Sequence, residues 1–456
     1  MRTFNYSHFL IVLFLAVSCQ KSSFLTANPD SSLMVPTTLQ NYQALLDDDR
    51  VINGYGNSGY PSLGETGSDD YTVSAGQYKT YSVIDQRAAI WAAQIYTGQA
   101  VNDWDLPYRT VASCNIVLDG LKALTLPPAQ QPTAKGIRGA AYFDRAFAFY
   151  QLSQIFSPIY DSNTSGSDWG IPLRLSSDVN EKISRATVQQ TYDQIITDLG
   201  AARVLLPTDS SWKTTRPSIA AVYGLFSLVY LSARNYLMAL QYADSCLMLR
   251  HALMSYDTIS TTTRFPFYRF NPEVIFNAAY FRSGPAAPYR SNTDSLLFQS
   301  YQPNDLRKKL FFKSGSYFTG WYDEEGYAFC GISTDEMLLT RAECYARAGN
   351  VSAAMHDLNS LLVTRWAAGT FIPYTASGAD DALQQILGER RKELLFRGTR
   401  WTDLRRLNKD PRTAHTLTRT VDGNVYTLAP TDGRWTYAIP DYILLFNPGM
   451  PQTSRW

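Results

Sequence analysis

Two stretches of this chain repeat one arrangement of small and large residues, and that arrangement constrains the fold more than any other feature. In AAVYGLFSLVYLSARNYLMALQYADSCL, residues 220–247, Ser227 precedes Tyr230 by three positions, a turn falls at Arg234 and Asn235, and Ala239 and Ala243 follow. In EMLLTRAECYARAGNVSAAMHDLNSLL, residues 336–362, Ala342 precedes Tyr345 by three, Gly349 makes the turn, and Ala354 follows. Each half carries the apolar period of a helix, so each stretch reads as two helices joined by a tight turn. The small residues sit where the helices must approach closely, and the large neighbours fill the space beside them. IRGAAYFDRAFAFYQLSQIF (137–156) and TVQQTYDQIITDLGAARVLL (187–206) read as a third pair, separated by a long loop.

These spacings match the helix-turn-helix unit of tetratricopeptide repeats. They predict a mostly α-helical fold with helix pairs over about 134–205, 218–251 and 334–364. The units are not in tandem, since Tyr230 and Tyr345 lie 115 positions apart against a repeat period of about 34. Long loop insertions, with minor β structure, therefore interrupt the array. The largest runs over about 252–333 and is rich in aromatic residues, in RFPFYRF, NAAYFRS and SGSYFTGWYDEEGYAF. Insertions in repeat arrays map to loops that often form the binding face. Upstream, Leu39, Tyr42, Leu45 and Leu46 have helical spacing, Ile84–Tyr96 reads as a further helical run, and Val111, Cys114, Val117, Leu118 and Leu121 share one helix face.

The N-terminal residues describe export. A polar start with one cation, Arg2, leads into an apolar run from Phe9 to Val17 and the small residue Ser18. Nine residues are too few for a spanning helix of roughly 20, and this layout is that of a cleaved signal peptide, residues 1–18. Ala16, Val17, Ser18 and Cys19 resemble a bacterial lipobox, in which the cysteine thiol takes up diacylglycerol. Cys19 is the expected lipidation site, and residues 19–36, rich in Ser, Thr, Asn, Asp and Pro, read as a flexible tether. Two or three acyl chains anchor a protein stably, at about 0.8 kcal/mol per buried methylene. The chain has 41 basic and 40 acidic side chains, and losing Arg2 with the signal leaves 40 of each. A neutral balance argues against nucleic acid as a partner. Cys114, Cys246, Cys330 and Cys344 show no metal-binding spacing and read as buried core residues.

Catalytic and cofactor chemistry finds little support. GYGNSG, Gly54–Gly59, fits GxGxxG, but no strand precedes it and Pro61 blocks a following helix. His251, His356 and His415 are scattered. Glu389 and Glu393 lie one turn apart among Arg390, Arg391, Lys392 and Arg397, the pattern of an ion-laced helix and not of a glycosidase pair across a cleft. Asp69, Asp70 and Tyr71, in a Gly-rich loop, are either a solvated turn or a site for sugar hydroxyls or a structural calcium ion. No cofactor is expected.

The last third carries the most specific pattern. ERRKELLFRGTRWTDLRRL (389–407) followed by YAIPDYILLFNPGMPQ (437–452) closely resembles the SusD/RagB family of nutrient-binding outer-membrane lipoproteins. Glu389, Arg390, Glu393, Leu394, Phe396, Gly398, Arg400, Trp401, Asp403, Leu404, Ile439, Pro440, Asn447, Pro448 and Gly449 match, while Arg397 stands where the family commonly has Glu. YRTVASCN, FDRAFAFYQLSQIF and LTRAECYARAGN also resemble family segments in family order, so the resemblance covers essentially the whole mature chain, a single domain over 37–456 whose family C-terminal segment is 382–456. It implies a SusD-like helical fold, no enzymatic activity, and a lipid-anchored outer-membrane protein facing the cell exterior, although Gln20, Lys21, Ser22 and Ser23 offer no acidic surface-export signal. It also implies a SusC-like TonB-dependent transporter as partner and an oligosaccharide as ligand. Peptide capture, or a protein-binding scaffold without a small ligand, are the alternatives. Glu389, Arg390, Glu393, Arg400, Trp401 and Asp403 are expected to be structural. The candidate ligand residues are Asp69, Asp70, Tyr71, Tyr78 and Tyr81 in the first loop, with Tyr268, Trp321 and Tyr322 in the large insertion. Rings offer apolar area at little entropic cost, and Tyr and Trp keep a hydrogen-bonding edge. On that reading Trp321→Ala abolishes glycan binding without unfolding the protein.

Overall fold

The structure, a computed structural model, describes residues 36–207, 213–287 and 290–455. The signal peptide, Cys19 and the tether through residue 35 lie outside the described residues. The body is built of helices α1 (Leu39–Leu46), α2 (Asn102–Ala123), α3 (Gln131–Phe156), α4 (Val188–Leu205), α5 (Ile219–Ser232), α6 (Tyr236–Leu249), α7 (Thr334–Arg347), α8 (Val351–Leu362), α9 (Ala379–Glu393) and α10 (Arg400–Leu407). A hairpin follows, β1 (Leu417–Val421) with β2 (Asn424–Leu428), and then a short helix α11 (Asp441–Phe446). Successive helices from α2 to α4 and from α5 to α8 pack on their neighbours, and α9 closes against α7. The fold is mostly helical, as the periodicity predicts.

The two repeat-like turns are built alike. Asn235 donates its backbone N–H to the Tyr230 carbonyl, and Asn350 donates to the Tyr345 carbonyl, both at 2.9 Å. Each asparagine then caps the next helix, accepting from Met238 N and Ala353 N, both at 3.2 Å. Both turns need a left-handed residue, which is Gly349 in one and Arg234 in the other (φ +80° and +61°). At the close approach Ser227 Oγ donates to the Ala239 carbonyl at 2.9 Å, and Ala239, Ala243, Ala342 and Ala354 are fully buried. A larger residue at Ser227 would separate the helices.

Among the described residues the strands pair as two-stranded antiparallel ribbons, most of them in or against the large insertion. Val274–Phe276 pairs with Ile332–Ser333 and Ala279–Tyr280 with Ala328–Phe329, so the ends of the insertion return to one place. Asn292–Thr293 pairs with Tyr71–Thr72 and ties the insertion to the first loop. Gly54 and Gly59 allow another such tie, because a Cβ at either would lie within 2.3 Å of the Ala279 carbonyl oxygen. GYGNSG is thus a packing device that lets Tyr60 N donate to that oxygen at 3.0 Å. The expected helix over Ile84–Tyr96 is shorter, Val83–Ala89. It stops because Trp91 takes a left-handed backbone (φ +53°) and turns its indole inward to donate to the Gly67 carbonyl.

Cys114, Cys246, Cys330 and Cys344 are free and buried. No helix among the described residues is long and apolar enough to cross a membrane. One core residue is mismatched to its surroundings: Asp144 on α3 is 1% exposed, and neither carboxylate oxygen has a hydrogen-bond partner. Burial, with a smaller contribution from Asp47, pushes its carboxyl well above the usual range. An unfolded Asp titrates near 3.9, so the raised carboxyl of the folded state costs stability increasingly as pH rises above that value, and the cost vanishes once both states are protonated in acid. Asp144→Asn is therefore expected to stabilise the protein by about 1–3 kcal/mol at pH 7.5 and by much less at pH 4.5, measured by urea unfolding.

Candidate functional site

The first loop turns its candidate residues inward, which corrects the expectation that it faces a ligand. Asp69 accepts from Arg400 Nε and Nη2 at 2.7 and 2.8 Å, and Asp70 accepts from Arg391 Nε at 2.8 Å. Two partly buried guanidiniums thus hold the carboxylates that were candidates for sugar hydroxyls or calcium. Tyr71 is buried, donates to the Thr66 carbonyl at 2.6 Å, and lies beneath the Arg419 guanidinium. Tyr81 is also buried and donates to the Arg290 carbonyl, while half-buried Tyr78 donates to the Gln86 carbonyl. Beside them, burial and the Asp70 charge push Glu65 up to about 8, although it accepts from Gly398 N at 2.7 Å. Trp401 fills the space that Gly64 and Gly67 leave open; a Cβ at Gly67 would lie 2.7 Å from the indole. The loop and the C-terminal segment therefore form a structural seam.

Trp321 and Tyr322 are likewise interior, at 2% and 0% exposure. Trp321 packs edge-on against Phe318. Tyr322 lies beneath the Arg397 guanidinium, 3.6 Å from the ring centroid, and its hydroxyl is 2.5 Å from Glu273 and 3.1 Å from Asp335. This hydroxyl belongs to a buried ion network. Arg365 pairs with Glu273 and Glu393, each at 2.8 Å, and Arg307 pairs with Asp305, Glu389 and Glu393 at 2.7, 2.6 and 2.9 Å. Glu273, Asp335 and Glu393 bring oxygens within 4.8 Å of one another, as a metal site would. Arg365, Arg307 and Arg397 already neutralise them. Arg390 joins Glu336 to Asp403, and Arg406 joins Asp403 to Glu343. Burial alone would raise Glu343, but Arg406 and Arg347 more than reverse this and hold it at about 2.

What the structure presents at a surface is Tyr268. It is 72% exposed and lines a cleft of about 910 Å³ within the large insertion, formed by residues 254–272 and Glu324. Phe270, 55% exposed, stands in the same wall. Phe265, Phe267, Ile259 and Met254 give the cleft an apolar lining, and Ser255, Ser260, Thr263 and Asn271 add hydroxyl and amide groups. Arg264 lies over the Phe265 ring, and Glu324 accepts the backbone N–H of Arg269 at 2.7 Å. The volume is that of a small-ligand site, and the mixture of rings with scattered neutral polar groups suits a ligand with both apolar faces and hydroxyls. Two other surface concavities are smaller, about 480 Å³ at Phe446–Met450 and 290 Å³ beside Tyr160 and Tyr230. A cavity of about 30 Å³ between Glu336 and Arg397 has room for one water molecule. Phe270 was not a candidate from sequence, although RFPFYRF contains it.

Fold and cleft together define a mostly helical protein with repeat-like helix pairs, whose large insertion carries a cleft. A family described as starch-binding and associating with the outer membrane matches residues 23–231, and the SusD family matches residues 334–441. The two matches span more than half of the chain, which belongs to the SusD/RagB family. Several solved structures share the fold. A SusD superfamily protein from Bacteroides thetaiotaomicron is 20% identical with a TM-score of 0.73, covering 92% of this chain and 100% of its own. One from Bacteroides fragilis is 20% identical with a TM-score of 0.72, covering 91% and 99%. A SusD-like carbohydrate binding protein from Bacteroides vulgatus is 20% identical with a TM-score of 0.66, covering 91% and 98%. No curated protein matches in sequence.

The interior placement of the aromatic and acidic residues makes them determinants of stability. Trp321→Ala is expected to cost ~3–5 kcal/mol through the cavity it leaves. Glu393→Gln is expected to cost a similar ~3–5 kcal/mol, because it strips charge from between two buried guanidiniums. Equilibrium unfolding in urea measures both.

Proposed function

We propose that this chain is a cell-surface nutrient-binding lipoprotein, anchored through Cys19, that captures an oligosaccharide in the insertion cleft and passes it to a SusC-like TonB-dependent transporter. The observation that carries the reading is the pair of exposed rings, Tyr268 and Phe270, in the wall of the insertion cleft of about 910 Å³. Family membership supports carbohydrate binding at the outer membrane. Burying a ring of this size against a sugar face contributes ~1.5–3 kcal/mol, and the neutral hydroxyl and amide groups around it can pair with sugar hydroxyls. The cleft offers ligand contacts and no assembled catalytic pair. Its carboxylate, Glu324, already accepts a backbone hydrogen bond, and its cation, Arg264, lies against a ring.

Tyr268→Ala and Phe270→Ala are each expected to weaken oligosaccharide binding about tenfold or more, equivalent to ~1.4 kcal/mol or above, without lowering the melting temperature. Calorimetric titration with a panel of plant and yeast oligosaccharides, beside thermal unfolding, measures this; unchanged affinity in both variants contradicts the assignment. For the partner, gentle purification of a tagged copy from its native outer membrane is expected to recover a large β-barrel protein by mass spectrometry. Recovery of the chain with neither barrel nor ligand favours a scaffold, and bound peptides favour peptide capture.

A further inference from the structure

The acidic run Asp47–Asp49, just after α1, distributes three carboxylates to three tasks. Asp47 pairs with Arg216 through Nε and Nη2 at 2.7 and 2.5 Å, and Asp48 accepts from Arg50 N to cap the short helix Asp49–Ile52. Asp49 takes both terminal nitrogens of Arg269, at 2.7 and 2.5 Å. Arg269 lies in the chain between the two exposed rings of the cleft. While Tyr268 and Phe270 face solvent, the Arg269 side chain is turned inward and is 13% exposed. Its guanidinium lies 4.3 Å from the Tyr55 ring centroid and 4.9 Å from that of Phe270. With the Asn277 amide oriented to place its oxygen toward the guanidinium, Nη2 and Nε also donate there, at 3.0 and 3.2 Å. The wall beneath is pinned by the same segment, since Tyr55 donates to Glu325 at 2.9 Å and packs on Tyr327.

We propose that Arg269 is a positioning residue for the cleft, and that Asp49 is the fixed point it works from. This deepens the proposed function and rests on the cleft being the oligosaccharide site. The planar fork satisfies a carboxylate bidentately while its face lies against two rings, a combination that a lysine ammonium cannot reproduce. Because the backbone on both sides of Arg269 carries the ligand-facing rings, the Asp49 pair fixes where those rings stand. Linkage makes the coupling reciprocal: a ligand that binds only the clamped arrangement also tightens the segment Asp47–Tyr55, which leads back towards the tether. Cleft occupancy is thereby communicated to the segment Asp47–Tyr55.

The test labels the full mature chain with 3-fluorotyrosine, assigns the Tyr268 resonance by Tyr268→Phe, and compares Asp49→Asn, Arg269→Lys and the exchange Asp49→Arg with Arg269→Asp. In wild type the Tyr268 fluorine signal is expected to be single and sharp. In both single variants it broadens or splits, the melting temperature stays within two degrees or so, and affinity for the oligosaccharide panel falls about tenfold. The exchange variant recovers part of both losses, which a variant that merely fails to fold cannot do. An unchanged Tyr268 signal in both single variants overturns the proposal. The fluorine signal needs no ligand, so the two readings fail separately. A signal that responds while Tyr268→Ala binds the panel as wild type does would leave the positioning role standing and refute the cleft as the sugar site. Hydrogen exchange slowed at residues 47–55 by the bound oligosaccharide supports the communication, and unchanged exchange there overturns it.

Discussion

The pairing of Arg307 and Arg365 with Glu393 is the contact on which the rest of the architecture depends. Both guanidiniums and the carboxylate are fully buried, at 2.8–2.9 Å. Removing such charges from water carries a penalty of several kcal/mol per ion that only close partners and full hydrogen bonding offset. Here the offset is nearly complete. Arg307 meets three carboxylates, Arg365 meets two and the Met254 carbonyl, and Lys392 bonds Glu389 and lies beside Asp305. Burial works against the charge of both arginines, yet Asp305 and Glu389 around one, and Glu273 around the other, hold both firmly charged. The partners come from the insertion, the loop after α8, and α9, so one network joins three regions that are distant in the chain.

That junction gives the loops their use. An insertion of about eighty residues between two helix pairs would ordinarily be free to wander over the scaffold. Its Glu273, Asp305, Arg307 and Tyr322 are instead locked into the interior, and the insertion is tied to the first loop at Tyr71–Thr72 and, through Ala279, to Tyr60. The cleft walls at 254–272 therefore stand on a rigid base, and a preorganised site loses less entropy on binding. The same physics explains why most of the insertion's aromatic residues are unavailable to a ligand. Phe311, Phe318, Trp321 and Tyr322 form a ring-packed core that Phe267, in the cleft lining, joins from above.

The helix pairs were legible because their signal is local. Ser227 three before Tyr230, or Ala342 three before Tyr345, states a close approach within one turn of helix, and the turn residues follow at fixed offsets. The family tail was legible for a different reason, as a long specific pattern. The proposed ligand residues were not legible to the same degree. An aromatic-rich insertion describes a core and a platform equally well, and only the chain's long-range partners separate them. Tyr322 is interior because Arg397, 75 positions on, lies over its ring, and Asp69 is sequestered by Arg400, more than three hundred positions away. Glu389 and Glu393 read correctly as charge-laced, but their main partners, Arg307 and Arg365, are far upstream and turn the helix face inward. Tyr268 and Phe270 differ from Phe267 by exposure alone, a property that RFPFYRF does not encode.

The proposed ligand position is the insertion cleft, on rings held above a buried ion network. The most direct measurement is a crystal structure of the protein carrying an oligosaccharide, co-purified or chosen from the binding panel. Sugar density is expected against Tyr268 and Phe270, with Arg307, Arg365 and Glu393 unmoved beneath. Density instead along the first loop at Asp69–Tyr81, or in the concavity at Phe446–Met450, would contradict it.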